Sequence, residues 1–392
     1  MLGIFETHPV QYRAPVYREL ERLATPGSFH VFYATDTSLC GNRDEGFGMT
    51  VAWDEPLLDG YPNSVIFPGQ NRQVHPVASF LESGRIMERH RLSEVLLTDF
   101  RTSLGLPVLL QAKIKGLPVW IRQETQDEAF VRSCLKSMSR HLCYRALYSQ
   151  VDHAFAIGEL NRSHLLRHGI SKEKISMARY CTTDRFTQRS PDDIVRLGQE
   201  KRASLGINPE ELVIGFFGKL ISKKNPLLLL EAVQILNQST ERPLRILFVG
   251  SGELESTLRS AASRLESQGV RTLFTGFVNQ SSIAEYYAAT DILALPSRRM
   301  GETWGLVVNE ALQAGCSVVM SDAVGCRVEF SHLPHCRIFR NENAGDLAAA
   351  LSFLAGYPPH DRTWARAFMD CYSTQSSAKA LAAQIFHSAA HT

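Results

Sequence analysis

The stretch DILALPSRRMGETWGLVVNEALQAGCSVVMSD, Asp291 to Asp322, decides the fold class. It opens with an apolar run of β type, DILALPS, crosses a loop that holds Gly301, and continues as WGLVVNEALQAG. Positions 306, 307, 308, 311 and 312 are apolar at helical spacing, and Gly315 stands where a helix C-cap is expected. CSVVMSD then supplies a second apolar run. Strand, helix and strand in this order make the crossover unit of a parallel sheet. Two carboxylates sit inside the unit, Glu302 in the Gly-flanked loop and Glu310 within the apolar helix. A charge among apolar neighbours is costly unless something pairs with it.

The same alternation extends toward the N-terminus. ELVIGFFGKL, RILFVGSG and TLFTGFV read as further strands, with helices at 226–238, 253–267, 281–289 and 305–314. An earlier series starts at once with LGIFET (2–7) and continues through FHVFYA (29–34), EVLLTD (94–99), LPVWIRQ (117–123) and HAFAIG (153–158). Its helical stretches are APVYRELERLA, SLGLPVLLQAKIKG and a longer one across 128–149. The polar stretch RSPDDIVRLGQEKRASLGINPEE divides the series and places a hinge around 185–210. The expectation is α/β architecture in two successive doubly wound units, residues 1–188 and 189–366. Residues 367–392, with the helical STQSSAKALAAQIFHSA, would return toward the first unit. Ligands of open α/β sheets lie beyond the carboxyl ends of the strands, so the cleft between the units is where site residues belong.

Composition bounds the function. Across 392 residues, 42 basic and 40 acidic side chains leave a net charge of +2, so no global field points to nucleic acid. No apolar run reaches the ~18 residues of a membrane span, and MLGIFETHPVQYRAP lacks the parts of a signal peptide. Eight scattered cysteines without a CxxC pair predict neither a zinc site nor a disulfide framework. A cytoplasmic protein with reduced thiols is expected.

Several segments carry candidate chemistry. In LVIGFFGKLISKKNP a strand ends at Gly218, and Lys219, Lys223 and Lys224 follow before Pro226, where a helix can start. Cations beside a helix N-terminus suit a diphosphate; a solvated basic turn fits the same residues. There is no GxxxxGK[ST], so a P-loop is disfavoured. Gly250 and Gly252 form a G-x-G after the next strand, without the third glycine of a dinucleotide fingerprint. Gly276, with Phe277 and Val278, ends the strand after that and can present backbone to a nucleobase, or be a simple turn. Glu302 suits sugar hydroxyls at a helix start, and Glu310 suits the vicinal hydroxyls of a ribose. The structural alternatives are dipole complementation for Glu302 and a partly buried salt bridge for Glu310.

Taken together, these residues resemble a known family. Glu302 and Glu310 match the E-x7-E signature of retaining GT-B glycosyltransferases, and ETWGLVVNEA is similar to the family-4 pattern E-P-F/W-G-L-V-x-x-E-A. DILALPS and AGCSVVMSDAVG fit that family, GKLISKKNP resembles its G-R-L-x-x-x-K-G loop, and THPVQYRAPVYREL is similar to the opening of a bacterial subgroup. The resemblance implies two facing Rossmann-like domains, the first binding acceptor and the second binding a nucleotide-diphosphate sugar, with no metal and no separate cofactor. It implies donor-sugar contact for Glu302 and ribose contact for Glu310. Backbone groups of Thr303, Trp304, Gly305 and Leu306 would meet phosphate and sugar, and Lys219 and Lys224 would neutralise the departing diphosphate.

Two departures from the pattern stand out. Lys219 replaces an arginine, which loses bidentate geometry and keeps the charge. Glu124 follows the strand PVWIRQ, where many relatives carry histidine; a salt bridge to Arg122 or another cation is its structural alternative. On the acceptor side, His8 and Gln11 follow the first strand, and Asp99 and Arg101 come at and just after the end of EVLLTD. The usual Gly-Gly loop is absent there. Tyr180, Thr182 and Asp184 lie near the hinge, where relatives carry a donor-contacting segment. The implied partners are a nucleotide sugar and a glycan, lipid-linked or small-molecule acceptor. Residues 131–149 set Arg132, Lys136 and Arg140 opposite Leu135, Met138, Leu142 and Leu147, so they fit a surface helix or a peripheral contact with the inner membrane face. The rival readings are a sugar-nucleotide epimerase or hydrolase on the same fold and a non-catalytic sugar-nucleotide-binding protein.

Overall fold

A computed structural model describes residues 1–39, 41–44, 46–69 and 74–389, and the backbone alone at 42–44 and 389. The first series of elements is β1 (Leu2–Glu6), α1 (Ala14–Leu23), β2 (Phe29–Tyr33), β3 (Asn42–Asp44), β4 (Met49–Val51), β5 (Asn63–Val65), α2 (Pro76–Arg89), β6 (Glu94–Leu97), α3 (Gly105–Ile114), β7 (Val119–Ile121), α4 (Cys134–Tyr148), β8 (His153–Ala156), α5 (Glu159–Arg167) and β9 (Ile175–Met177). The second is α6 (Pro191–Ser204), β10 (Leu212–Phe217), α7 (Pro226–Asn237), β11 (Leu244–Val249), α8 (Glu255–Glu266), β12 (Arg271–Phe274), α9 (Ile283–Ala288), β13 (Ile292–Leu295), α10 (Leu306–Gln313), β14 (Ser317–Ser321), α11 (Arg327–Phe330), β15 (Cys336–Phe339), α12 (Ala344–Gly356), α13 (Arg366–Met369) and α14 (Thr374–Ala389).

Two parallel sheets result, of seven strands in the order β5-β2-β1-β6-β7-β8-β9 and six in the order β12-β11-β10-β13-β14-β15. The period-2 alternation of a strand divides each sheet between two helical layers. In the second sheet Ile214, Phe216, Ile246 and Phe248 pack under α7, α8 and α12. Their neighbours Val213, Phe217, Leu247 and Val249 face α6, α9 and α10. In the first, Phe5, Val95 and Leu97 join α2 and α3, while Leu2, Ile4 and Leu96 pack under α1 and α14. The last helix thus crosses back to cover the first sheet beside α1.

The strands and helices read from apolar runs recur in the structure. The additions are elements whose sequences carry little apolar period: β5 (NSV) and β9 (ISM), three-residue edge strands, and the β3–β4 hairpin. α2, α5, α11, α12, α13 and β15 were not anticipated either. The helix expected across 128–149 begins only at Cys134. Residues 128–133 instead run across to the second half, where Phe130 bridges Met300. No helix among the described residues is long and apolar enough to cross a membrane.

Gly315 ends α10 as anticipated, at φ 73°. A Cβ there would lie 2.0 Å from the Arg362 carbonyl oxygen, and that contact is with backbone, which cannot rotate away. Gly315→Ala is expected to cost on the order of 2 kcal/mol or more, from left-handed strain and the clash together. Urea unfolding of the variant checks this.

Candidate functional site

In each sheet the strand order reverses once, between β1 and β6 and between β10 and β13. Loops leaving two adjacent strands in opposite directions open a crevice at such a point. Two cavities occur there, each walled by both halves of the chain. One is lined by Gly218, Gly250, Phe277, Val278, Leu306 and Glu310 of the second half and by Gln11 and Tyr12 of the first. The other is lined by Thr7, Thr98, Asp99, Arg101 and Glu124 of the first half and by Gly301 and Thr303 of the second.

Between them lies the loop that carries Glu302. The carboxylate is buried, and Lys224 Nζ reaches its Oε2 at 2.6 Å while the Ser297 hydroxyl donates to the same oxygen at 3.1 Å. Burial favours the acid form, but Lys224 and Lys223 outweigh it and hold Glu302 below its ordinary pKa. Lys223 donates to the Gly301 carbonyl at 2.9 Å, and burial lowers its own pKa against the attraction of Glu302. Both lysines come from a one-turn 3-10 segment after β10, which Asn225 ends in a left-handed conformation, φ 51°. Asparagine tolerates that region better than most residues.

Glu310 has a different environment. Its partner is the Tyr287 hydroxyl, which donates at 2.6 Å, in place of the salt bridge considered from sequence. Burial pushes its pKa up to about 7, with Glu55 adding to the rise and Tyr287 and Arg185 opposing it. The two glutamates are thus poised oppositely, one fixed as an anion and one near neutrality.

The remaining second-half candidates divide between lining and packing. Gly250, Phe277, Val278 and Leu306 line the first cavity, and Thr303 the second. Gly276 accepts from the Gly250 amide at 2.9 Å, and a Cβ at Gly250 would meet the Gly218 carbonyl oxygen at 2.0 Å. Gly252 packs on the Leu220 backbone, so its lack of a side chain serves chain packing, where sequence suggested ligand approach. Trp304 is buried: its indole donates to Asn309 Oδ1 at 2.9 Å and its ring meets Tyr180 edge-on. Its carbonyl accepts from the Cys326 amide at 3.0 Å. Gly305, at φ 106°, caps α10 and accepts from the Val308 amide at 2.9 Å, while the Leu306 and Val307 amides have no intrahelical acceptors. Lys219 Nζ stands 5.0 Å over the Phe47 ring.

On the other side, Glu124 lines the second cavity but pairs with Arg13 at 2.5 Å and accepts from Tyr12 at 3.1 Å. Of the salt bridge considered from sequence, to Arg122 or another cation, Arg13 is the cation found, while Arg122 turns to the Ala178 carbonyl and Ser377 beneath Tyr180. Arg13 also pairs with Glu6, a carboxylate buried at the end of β1. Sequence reasoning missed Tyr12 and Arg13, although they directly follow Gln11; the pairing with Glu124 joins the β1–α1 connection to the loop after β7, 111 positions away. Asp99 and Arg101 pair with each other at 2.9 Å. His8 bonds the Thr7 hydroxyl, and burial lowers its pKa against Glu6; it lines neither cavity. Near the hinge, Thr182 lines the first cavity and Asp184 caps the turn at 186–187.

Asp127, His164 and His168 form the one close set of metal-ligand atoms among the described residues. Arg140 and Arg167 already bond the same carboxylate, and two guanidinium groups there oppose a dication. The set anchors residues 125–130, whose Ala129 carbonyl accepts from the Gly301 amide at 2.8 Å and whose Glu128 pairs with Arg327. Arg140 therefore faces inward, over Tyr144. Leu147 packs on the core, leaving Leu135, Met138 and Leu142 exposed. The basic face read into residues 131–149 is to that extent taken apart by the fold.

Lys224→Met is expected to cost about 3 kcal/mol at pH 7.5, because it orphans a buried carboxylate. Without Lys224, burial acts on Glu302 against Lys223 alone, and its pKa rises. The loss should then shrink as pH falls to 5 and the group takes up a proton. Urea unfolding of variant and wild type at both pH values measures this difference.

Comparison with known proteins bears on the fold and on the second half of the chain. Residues 198–367 match the family model described as Glycosyl transferases group 1. The D-inositol 3-phosphate glycosyltransferase of Rhodococcus erythropolis is 29% identical over 219 residues, which cover 55% of this chain and 46% of that protein. The chain thus spans about half the length of that curated relative. Among solved structures, Anabaena HepE in complex with UDP and glucose superposes with a TM-score of 0.60 at 17% identity, covering 98% of this chain and 95% of HepE. The UDP-GlcNAc 2-epimerase of Methanocaldococcus jannaschii superposes equally well, TM-score 0.60 at 15% identity, covering 97% and 99%. At these identities the likeness concerns the fold, and the chain has the two-domain GT-B fold, its second half similar to Glycosyl transferases group 1.

Proposed function

We propose that this chain is a retaining glycosyltransferase. It would move a hexose-type sugar from a nucleotide-diphosphate sugar to an acceptor hydroxyl without a metal ion. One observation carries the reading: the segment from Gly301 to Glu310 walls both cavities, with the buried Glu302–Lys224 pair between them. The cavity holding Glu310, Gly250 and Phe277 takes the donor, and the one holding Asp99, Arg101 and Glu124 takes the acceptor. In transfer, the bond from the anomeric carbon to the diphosphate breaks and a bond to the acceptor oxygen forms. Negative charge then grows on the diphosphate beside Lys219, Lys223 and Lys224 and the amides that open α10. Glu302 meets hydroxyls of the donor sugar. Glu124, fixed by Arg13 and Tyr12, orients the acceptor. Relatives named for UDP and for inositol phosphate support a nucleotide-sugar donor and a small polar acceptor.

Glu302→Gln and Lys224→Ala are each expected to lower kcat/KM about a hundredfold or more while the proteins stay folded. The assay follows a thermal-shift screen of UDP-, GDP-, ADP- and TDP-sugars and uses an acceptor panel. Wild-type transfer by both variants would sink the assignment. Release of free or epimerised sugar with no acceptor requirement would favour the hydrolase or epimerase reading, and binding without turnover a non-catalytic role.

Glu310 supplies a pH test. Ribose hydroxyls donate to its carboxylate, so binding favours the ionised form of a group that titrates at about 7 in the free protein. Affinity for the nucleoside diphosphate should therefore rise between pH 6 and pH 8. Glu310→Gln removes that part of the pH dependence, as calorimetry on both proteins would record.

A further inference from the structure

The first half of the chain sends one segment across the cleft that neither sheet requires. Between β2 and β5, the residues around the β3–β4 hairpin leave the first sheet and lie on the second half. Gly48 makes the turn at φ 68°. The segment is tied down along its length to loops that follow β11 and β12. The Ser251 hydroxyl donates to the Phe47 carbonyl at 3.0 Å, and the Asn279 side-chain amide to the Ala52 carbonyl at 2.7 Å. The Ser281 amide donates to Asp54 at 3.2 Å, and Glu55 pairs with Arg185. Its root is held in the first half, where Leu57 and Tyr61 are core residues and Arg18 donates to the Asp59 carbonyl at 3.0 Å.

This segment closes over the cavity that holds Glu310. Phe47, Trp53 and Glu55 line it together with Phe277 and Val278. Phe47 and Trp53 both meet the Phe277 ring edge-on, at centroid distances of 5.0 and 6.0 Å. The other face of Phe47 carries Lys219, and Glu55 lies close enough to Glu310 to raise its pKa. Three rings, two of them from the opposite half, thus line the cavity together. The space left beneath them, about 180 Å³, is below the roughly 300–1,000 Å³ of ordinary ligand sites.

We infer that residues 46–55 form a strap that must lift to admit the donor nucleotide and that, on return, completes its base site by stacking Trp53 and Phe47 on the nucleobase. The inference rests on the donor assignment above and adds to it. The base is held by side chains of both halves, so the half that receives acceptor also gates donor exchange. Aromatic stacking suits any nucleobase, because every base offers a π-face. The latches at Asn279, Ser281 and Arg185 are polar and partly exposed, as a contact that opens in each cycle requires.

The test measures UDP and GDP binding by calorimetry and stopped-flow fluorescence on the full chain. Trp53→Ala is expected to weaken binding of the better nucleotide about tenfold or more, and Trp53→Phe, which keeps the stacking face, to restore most of it. Asp54→Ala removes the latch to Ser281 without altering the cavity lining. It should raise association and dissociation rates alike, about fivefold, with little change in Kd; a merely structural role would leave the association rate alone. Wild-type affinity and rates in both Trp53→Ala and Asp54→Ala would overturn the strap and leave the transferase reading standing. A wild-type protein that binds neither nucleotide would overturn both.

Discussion

Glu302 is a buried carboxylate whose counter-charge comes from another loop, and this constraint organises the rest of the site. Lys224 follows β10 and Glu302 follows β13, strands adjacent across the point where the second sheet reverses its order. An uncompensated charge at that depth costs several kcal/mol, so the two loops are held in contact wherever the sheet is formed. The pair fixes the segment from Gly301 to Glu310 against β10. Lys223, bonded to the Gly301 carbonyl, reinforces the same contact.

From that fixed segment the cleft is assembled outward. Gly301 has no Cβ because the Phe130 ring occupies the place; a Cβ would lie 2.6 Å from it. Gly158 leaves room for Trp304 in the same way, and Asn309 joins the Trp304 indole to the Tyr180 carbonyl. The two halves are therefore sewn by single hydrogen bonds, small ion pairs and ring contacts, with α14 crossing back over the first sheet. The seam also holds a buried apolar cluster in which Ile157 and Tyr180 of the first half pack with Trp304 and Phe330 of the second. Charge is distributed across it with a purpose: Glu302 stays an anion beside two lysines, while Glu310, with only a phenol for a direct partner, is balanced near neutrality.

Much of this was legible in the sequence. The strands buried on both faces, β1, β10, β11, β13 and β14, announce themselves as apolar runs, and α10 by its spacing and its terminal glycine. The second-half candidates were found because a strand end, a glycine and a charge lie within a few residues of one another. Local chemistry of that kind survives in a linear reading. What was not legible has long-range causes. β5 and β9 are short edge strands with one neighbour, so their residues need little apolar period. Arg13 looks like an ordinary helix-start residue until Glu6 and Glu124 come to meet it. Residues 128–133 continue the helical pattern of α4 but are drawn out of it by bonds to Gly301 and Met300.

The sequence by itself determined the fold class, the order of the strands' apolar runs and the identity of the charges at the strand ends, because periodicity and turn chemistry are local properties. Only the tertiary structure decided which charges meet. It gave Lys224 to Glu302, Tyr287 to Glu310 and Arg13 to Glu124, turned Arg122 and Arg140 away from the roles their positions suggested, and laid Phe47 and Trp53 over a cavity of the opposite half. These pairings join residues from tens to hundreds of positions apart. Their energies depend on burial and distance, which a linear order of residues does not contain.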